Sequence, residues 1–235
     1  MATIFQHGTL ELIMNGLYDG TTYLATILDN GDFGIGTLDR LNGELTIMNG
    51  KVYQTNSGGI TQEIRKLELT TPFSSSHFEA SNNRFVQEPK LSFSGLETLN
   101  HYVSQNVPNS LRLNGFFKSL KVRVAPKQAK PYPDFLSVSA EQPTFEYQNV
   151  EGTLIGDFGP DIYTGVMANG WHLHFLSNDF TIGGHVLDFS AEHLSGTVDT
   201  FDTVKVSMPI HNDSFMSHKS NISDIRQAIA KAEGE

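Results

Sequence analysis

The stretch Gly170-Trp171-His172-Leu173-His174-Phe175-Leu176-Ser177-Asn178-Asp179-Phe180-Thr181-Ile182-Gly183-Gly184-His185 reads as two strands joined by a polar turn. Residues i and i+2 of a strand share a face, so His172 and His174 point to the same side. Ser177-Asn178-Asp179 supplies the turn, and a strand returning through Gly183-Gly184 brings His185 beside the first pair. Three imidazoles on one side of a sheet form the ligand set of a catalytic zinc that keeps coordination positions open. A single strand histidine is ordinarily a surface or core residue. Three at this spacing, among apolar strand residues and a Gly-Gly, favour a shared metal. The other six (His7, His77, His101, His193, His211 and His218) make no such pattern and read mostly as solvated or capping residues.

Composition narrows the chemistry. The chain has 235 residues, enough for one large domain or two small ones with a sizeable core. Sixteen Phe and 21 Gly favour strands, turns and close backbone approaches over long helices. Cysteine is absent, which excludes disulfides and thiolate metal sites and leaves His and carboxylate as ligands. A net charge of −10 argues against a nucleic-acid footprint, which would be basic. The N-terminal Met1-Ala2-Thr3-Ile4-Phe5-Gln6-His7 has no basic or apolar leader region, and no run of 18 apolar residues occurs. A cytoplasmic protein is the expectation.

Outward from the histidine stretch, residues 9–17 read as a helix and 22–28 as a strand. Strands follow at 33–38, 44–48 and 51–55, the last two joined by the hairpin signal Asn49-Gly50. Residues 67–73 and 84–86 look extended, 96–105 helical, and 111–124 reads as two short extended runs. Pro126, Pro131 and Pro133 mark a loop. A short helix is expected at 135–142, strand at 195–206 broken near Asp199, and helix at 220–232. The first and second halves share a faint echo of strand, turn and Gly-containing strand, which fits either a duplicated unit or two unrelated hairpin-rich segments.

Two charged residues stand in apolar strands. Glu44 opens the strand Glu44-Leu45-Thr46-Ile47-Met48, where a solvated edge position is the plain reading. Arg123 lies between Val122 and Val124, where it points either to water or inward to hold a carboxylate with its two-pronged guanidinium.

The chain resembles the bacterial alpha-acetolactate decarboxylase family over nearly its whole length. The resemblance is carried by Gly31-Asp32-Phe33-Gly34-Ile35-Gly36-Thr37, by Leu41-Asn42-Gly43-Glu44-Leu45 and by Gly50-Lys51-Val52-Tyr53-Gln54. Residues 120–132, Val150-Glu151-Gly152-Thr153-Leu154 and 170–188 extend it. The resemblance implies decarboxylation of 2-acetolactate to acetoin and CO2, with Zn2+ bound by His172, His174 and His185. The zinc would chelate the substrate's ketone and hydroxyl and stabilise an enediolate, which is then protonated stereospecifically. It further implies functional roles for Glu44 and Arg123, and for a C-terminal glutamate whose nearest match is Glu233, with Glu235 competing. The implied fold is α+β, with two related halves of mainly antiparallel strands, a few helices and a duplicated mixed-sheet architecture. The halves fall at 1–145 and at 146–235, the latter carrying the His-x-His hairpin and a tail helix. A homodimer is also implied.

Two other readings use the same residues. A cupin-like metalloenzyme also has a His-x-His pair, but Asp179 falls in the turn where an acidic ligand is wanted. A non-enzymatic metal-binding module linked to DNA shares the His-x-His and Gly-Gly-His pattern, but the charge of −10 opposes it.

Overall fold

The computed structural model of the chain describes residues 1–219 and 227–229. In chain order the first strands are β1 (Thr3–His7), β2 (Thr22–Tyr23), β3 (Gly34–Thr37), β4 (Glu44–Met48), β5 (Lys51–Thr55), β6 (Thr61–Ile64) and β7 (Thr70–Thr71). They are followed by β8 (Phe73–His77), β9 (Arg84–Ser92), β10 (Asn109–Arg123), β11 (Thr144–Gly159), β12 (Gly170–Ser177), β13 (Gly183–Thr200) and β14 (Thr203–Ser207). The short helices α1 (Leu10–Met14), α2 (Leu24–Leu28) and α3 (Phe135–Ala140) join strands, and α4 (Asp213–Met216) follows β14. The class is α+β and strand-rich, as expected.

Two larger sheets pack together. The first has the order β14-β1-β8-β3-β4-β5-β6 and is antiparallel except for the parallel pair β1–β14. The second has the order β10-β11-β12-β13-β9 and is wholly antiparallel. Its β10 also pairs with β13, so β10, β11, β12 and β13 close on themselves. Closure removes two edges, and the interior fills with side chains. Leu113, Phe117, Leu154, Leu173, Phe175 and Phe189 form that core. Position 145, the boundary expected between two halves, is the second residue of β11.

Strand alternation then assigns faces. On β12, Leu173 and Phe175 enter the closed core, so His172 and His174 leave by the opposite face. On β13 and β10, Val186 and Val122 enter it, and the neighbouring His185 and Arg123 face outward. That outward face meets β4 of the first sheet, which packs against both β12 and β13.

Several expectations change. Residues 22–28 are a strand only at Thr22–Tyr23 and then turn helical in α2, where Leu24 and Ile27 bury one face beside Phe5 and Leu45. A five-residue apolar run does not reveal its period, so tertiary burial decides. The two runs expected in 111–124 are one strand, because Asn114-Gly115 is absorbed as a register shift against β13. The helix expected at 96–105 is a tighter 3-10 segment, Phe93–His101. The break expected near Asp199 falls at 201–202, since Asp199 is buried and accepts from Ala80 N (2.7 Å) and Arg112 (3.1 Å). His7 and His77 are not solvated: both are buried and hydrogen-bonded, to Thr21 and to Ser110. Of the expected tail helix only 227–229 is described, and it is helical. No helix among the described residues is long and apolar enough to cross a membrane.

Candidate metal centre

The hairpin forms as read. Ser177 Oγ donates to Asp179 Oδ1 (2.6 Å) and accepts from Ile182 N (2.9 Å), while Ser177 N donates to Ile182 O (2.9 Å). This turn sets the register that places His174 directly opposite His185. The next strand over pairs Asp157 with His172 and Gly156 with Leu173. A Cβ at Gly156 would stand 2.0 Å from His172 O, so glycine there lets β11 and β12 approach closely enough to fix the histidine strand.

The three imidazoles converge. Their ligand nitrogens lie within 4.8 Å of one another, and the ring centroids are 4.8–5.7 Å apart. His174 Nδ1 lies 2.8 Å from Leu45 O. A carbonyl can only accept, so Nδ1 carries the proton and Nε2 keeps its lone pair. That Nε2 faces Glu44 Oε2 at 3.5 Å. Burial, assisted by the Arg123 guanidinium, pushes His172 down to about 3. The same burial, with the neighbouring imidazoles and the Arg123 guanidinium, holds His174 and His185 well below the usual histidine range. All three are therefore neutral donors at neutral pH. Bare imidazole nitrogens gathered beside a carboxylate repel one another, and a cation between them relieves the repulsion. The donor set fits a divalent metal with protein ligands on one side.

Glu44 and Arg123, forty positions or more from any of these histidines in sequence, join them. Neither is a solvated edge residue: Glu44 is 9% exposed and Arg123 6%. Glu44 Oε1 accepts from Ala125 N (2.9 Å), which ties β4 to the end of β10. Both side chains line the same cavity, of about 40 Å3, as the three histidines. An apolar wall comes from Leu10 and Ile13 of α1, Leu41, Phe73 and Phe135. Asp134 caps α3 by accepting from Ser137 N (2.9 Å), which starts the helix where Phe135 reaches the wall. The site is thus a polar floor under an apolar roof.

Sequence reasoning missed Gln142 and Thr37, which also line the cavity. No spacing marks Gln142, which sits between α3 and β11. Thr37 lay within a quoted motif, but nothing in the motif gave it a direction. Glu233 and Glu235 lie outside the described residues. Four positions before Glu233, Ile229 is buried in the cluster that includes Leu10, Ile13 and Phe135.

The chain's relatives share this architecture. The alpha-acetolactate decarboxylase family model matches residues 4–221. The alpha-acetolactate decarboxylase of Lactococcus lactis subsp. cremoris is 34% identical over 232 residues, covering 98% of each chain. That of Bacillus subtilis strain 168 is 30% identical over 236 residues, covering 100% of this chain and 92% of its own. The crystal structure of alpha-acetolactate decarboxylase from that strain superposes with a TM-score of 0.93 at 29% identity, covering 99% and 100%. A Staphylococcus aureus structure described as similar to alpha-acetolactate decarboxylase gives 0.91 at 31% identity, covering 98% and 99%. With a family model matching nearly the whole chain and full-length relatives at this identity, the chain belongs to the alpha-acetolactate decarboxylase family of carboxy-lyases.

Proposed function

We propose that this chain decarboxylates 2-acetolactate to acetoin, with zinc held by His172, His174 and His185. The observation that carries the proposal is the single cavity in which three neutral imidazoles, a buried arginine and a buried glutamate meet. Bound zinc would supply Lewis acidity to the ketone and hydroxyl oxygens of the substrate.

The chain's own residues supply the rest. Arg123 pairs with the substrate carboxylate through two parallel N–H donors, and its burial strengthens that pairing. The grip is on the ground-state carboxylate and lapses as neutral CO2 departs. The electron pair of the broken C–C bond passes to the ketone oxygen, so no organic electron sink is needed. A proton must then reach the carbon that lost CO2. Glu44, held in place by Ala125 N, stands beside the histidines and is the carboxylate positioned to move it. Glu233 is a second candidate from the tail. The apolar walls keep bulk water from the reacting carbon. The net charge of −10 supports a reading without a nucleic-acid partner.

The test is to incubate the purified protein with 2-acetolactate and quantify acetoin and bound metal, before and after chelation and after zinc is restored. Acetoin formation that disappears with the metal and returns with zinc is expected. Alanine at any of the three histidines should release the metal. Chelator-insensitive turnover, or full zinc stoichiometry in all three alanine variants, would overturn the metal assignment. Absence of acetoin would overturn the reaction.

A further inference from the structure

Gln142 lines the cavity that holds the histidines, Arg123 and Glu44, and its side chain is 9% exposed. Its Oε1 is buried without a hydrogen-bond partner among the described residues. The backbone on either side is fixed. Glu141 N donates to Val138 O (3.1 Å) at the end of α3, and Val124 N donates to Pro143 O (3.1 Å), continuing the ladder that pairs Arg123 with Thr144. The carboxamide is therefore delivered to the Arg123 side of the pocket by a rigid turn. A buried amide oxygen with nothing to accept is disfavoured and persists where a ligand completes it.

Three other polar atoms of the pocket lining are engaged within the protein, and Arg123 and the histidine ligand nitrogens are assigned to the carboxylate and the metal. Glu44 Oε1 accepts from Ala125 N, Thr37 Oγ1 donates to Gly43 O, and His174 Nδ1 donates to Leu45 O. What the unpartnered Gln142 Oε1 offers a ligand is an acceptor. Acetolactate at neutral pH has two kinds of acceptor, a ketone and a carboxylate, and one donor, the tertiary hydroxyl. We propose that Gln142 is a substrate-contacting residue whose carboxamide oxygen accepts from that hydroxyl and thereby selects 2-hydroxy acids. The proposal rests on the acetolactate reading above.

The experiment uses the zinc-loaded protein and its Gln142→Met variant, which keeps side-chain volume and removes the amide. Binding of 2-hydroxyisobutyrate and of pivalate, which differ by a hydroxyl in place of a methyl, is measured by calorimetry. KM for acetolactate, zinc content and Tm are measured alongside. The hydroxy acid's advantage over pivalate is expected to fall about tenfold in the variant, and KM to rise about tenfold, the worth of one hydrogen bond. Zinc content should be unchanged and Tm equal or higher, because an unpaired buried amide has been removed. An unchanged preference in a folded, zinc-loaded variant would overturn the proposal, as would a lowered Tm with unchanged preference. Gln142→Leu supplies the same comparison if the methionine variant fails to fold. Lack of acetoin from the wild-type protein would overturn the decarboxylase reading instead, and is thereby distinguished.

Discussion

Replacing Glu44 with glutamine separates two of its connections. Oε1 accepts from Ala125 N at 2.9 Å and Oε2 faces His174 Nε2 at 3.5 Å. Glutamine preserves a carbonyl acceptor for Ala125 but removes the negative charge beside the imidazoles. A hydrogen bond to a charged group is worth about 1 kcal/mol more than a neutral one. For a chain of this size that difference lowers Tm by roughly 2–4 °C. Loss of a carboxylate adjoining a ligand histidine costs about 10- to 100-fold in metal affinity, or roughly 1.4–2.7 kcal/mol. If Glu44 also moves the proton, turnover falls by about a further 10²- to 10⁴-fold even when zinc is saturating. Glu44→Ala is the control, since it leaves a buried Ala125 N–H unpaired at a cost of about 1–3 kcal/mol and should unfold earlier than the glutamine variant. The assays are chelator competition for zinc, acetoin production at saturating metal, and thermal melts. Wild-type zinc affinity together with wild-type turnover in Glu44→Gln would refute the role assigned to this carboxylate.

Arg123→Lys should retain zinc but lose about 10- to 100-fold in kcat/KM, because a point charge replaces a two-pronged donor worth about 1.5–3 kcal/mol; near-normal kinetics would argue against carboxylate pairing. Gly156→Ala puts a Cβ 2.0 Å from His172 O, and overpacking of about 3 kcal/mol should lower Tm by roughly 6–12 °C and weaken zinc binding, as read by melts and metal analysis. With His172 held down to about 3 and its two partners well below their usual range, protons compete poorly for these ligands. Zinc affinity should stay nearly flat from pH 8 to pH 5, whereas three ordinary histidines would lose affinity below about pH 6.5. The metal-free fold shows the converse. Its histidines stay neutral while those of the unfolded chain take up protons, so its stability is full above about pH 6.5 and declines as pH falls below it. A chelator titration and a melting series across pH check both, and a Tm of the metal-free protein that is flat down to pH 5 would contradict the burial argument.

The histidine hairpin was legible because its signals are local. Alternation set the faces, and Ser177-Asn178-Asp179 with Gly183-Gly184 set the turn. Asn49-Gly50 was legible for the same reason, and both residues take positive φ, 52° and 72°. Where local signals conflicted, longer-range packing decided. Leu24 to Leu28 has the residues of a strand, yet the space beside Phe5 and Leu45 accepts a helix face. Asn114-Gly115 looks like a break, yet β13 runs past it and takes up the irregularity. His77 carries no mark of burial in its sequence neighbourhood, yet Ser110 of another sheet meets its ring at 2.8 Å.

The same division holds at the site. The sequence by itself determined that His172, His174 and His185 share a face, because strand period and turn length are properties of a dozen consecutive residues. The family resemblance marked Glu44 and Arg123, but their direction was open: a charged residue in an apolar strand faces water by default and turns inward only where partners meet it. Only the tertiary structure decided it, by closing β10 to β13 into a packed core and seating β4 against the outer face of β12 and β13. That closure forces Val122, Leu173 and Val186 inward, and so turns Arg123 and the histidines onto the one face that Glu44 meets. Gln142 became visible at that stage alone, because a missing hydrogen-bond partner is a property of surroundings that sequence neighbours do not supply.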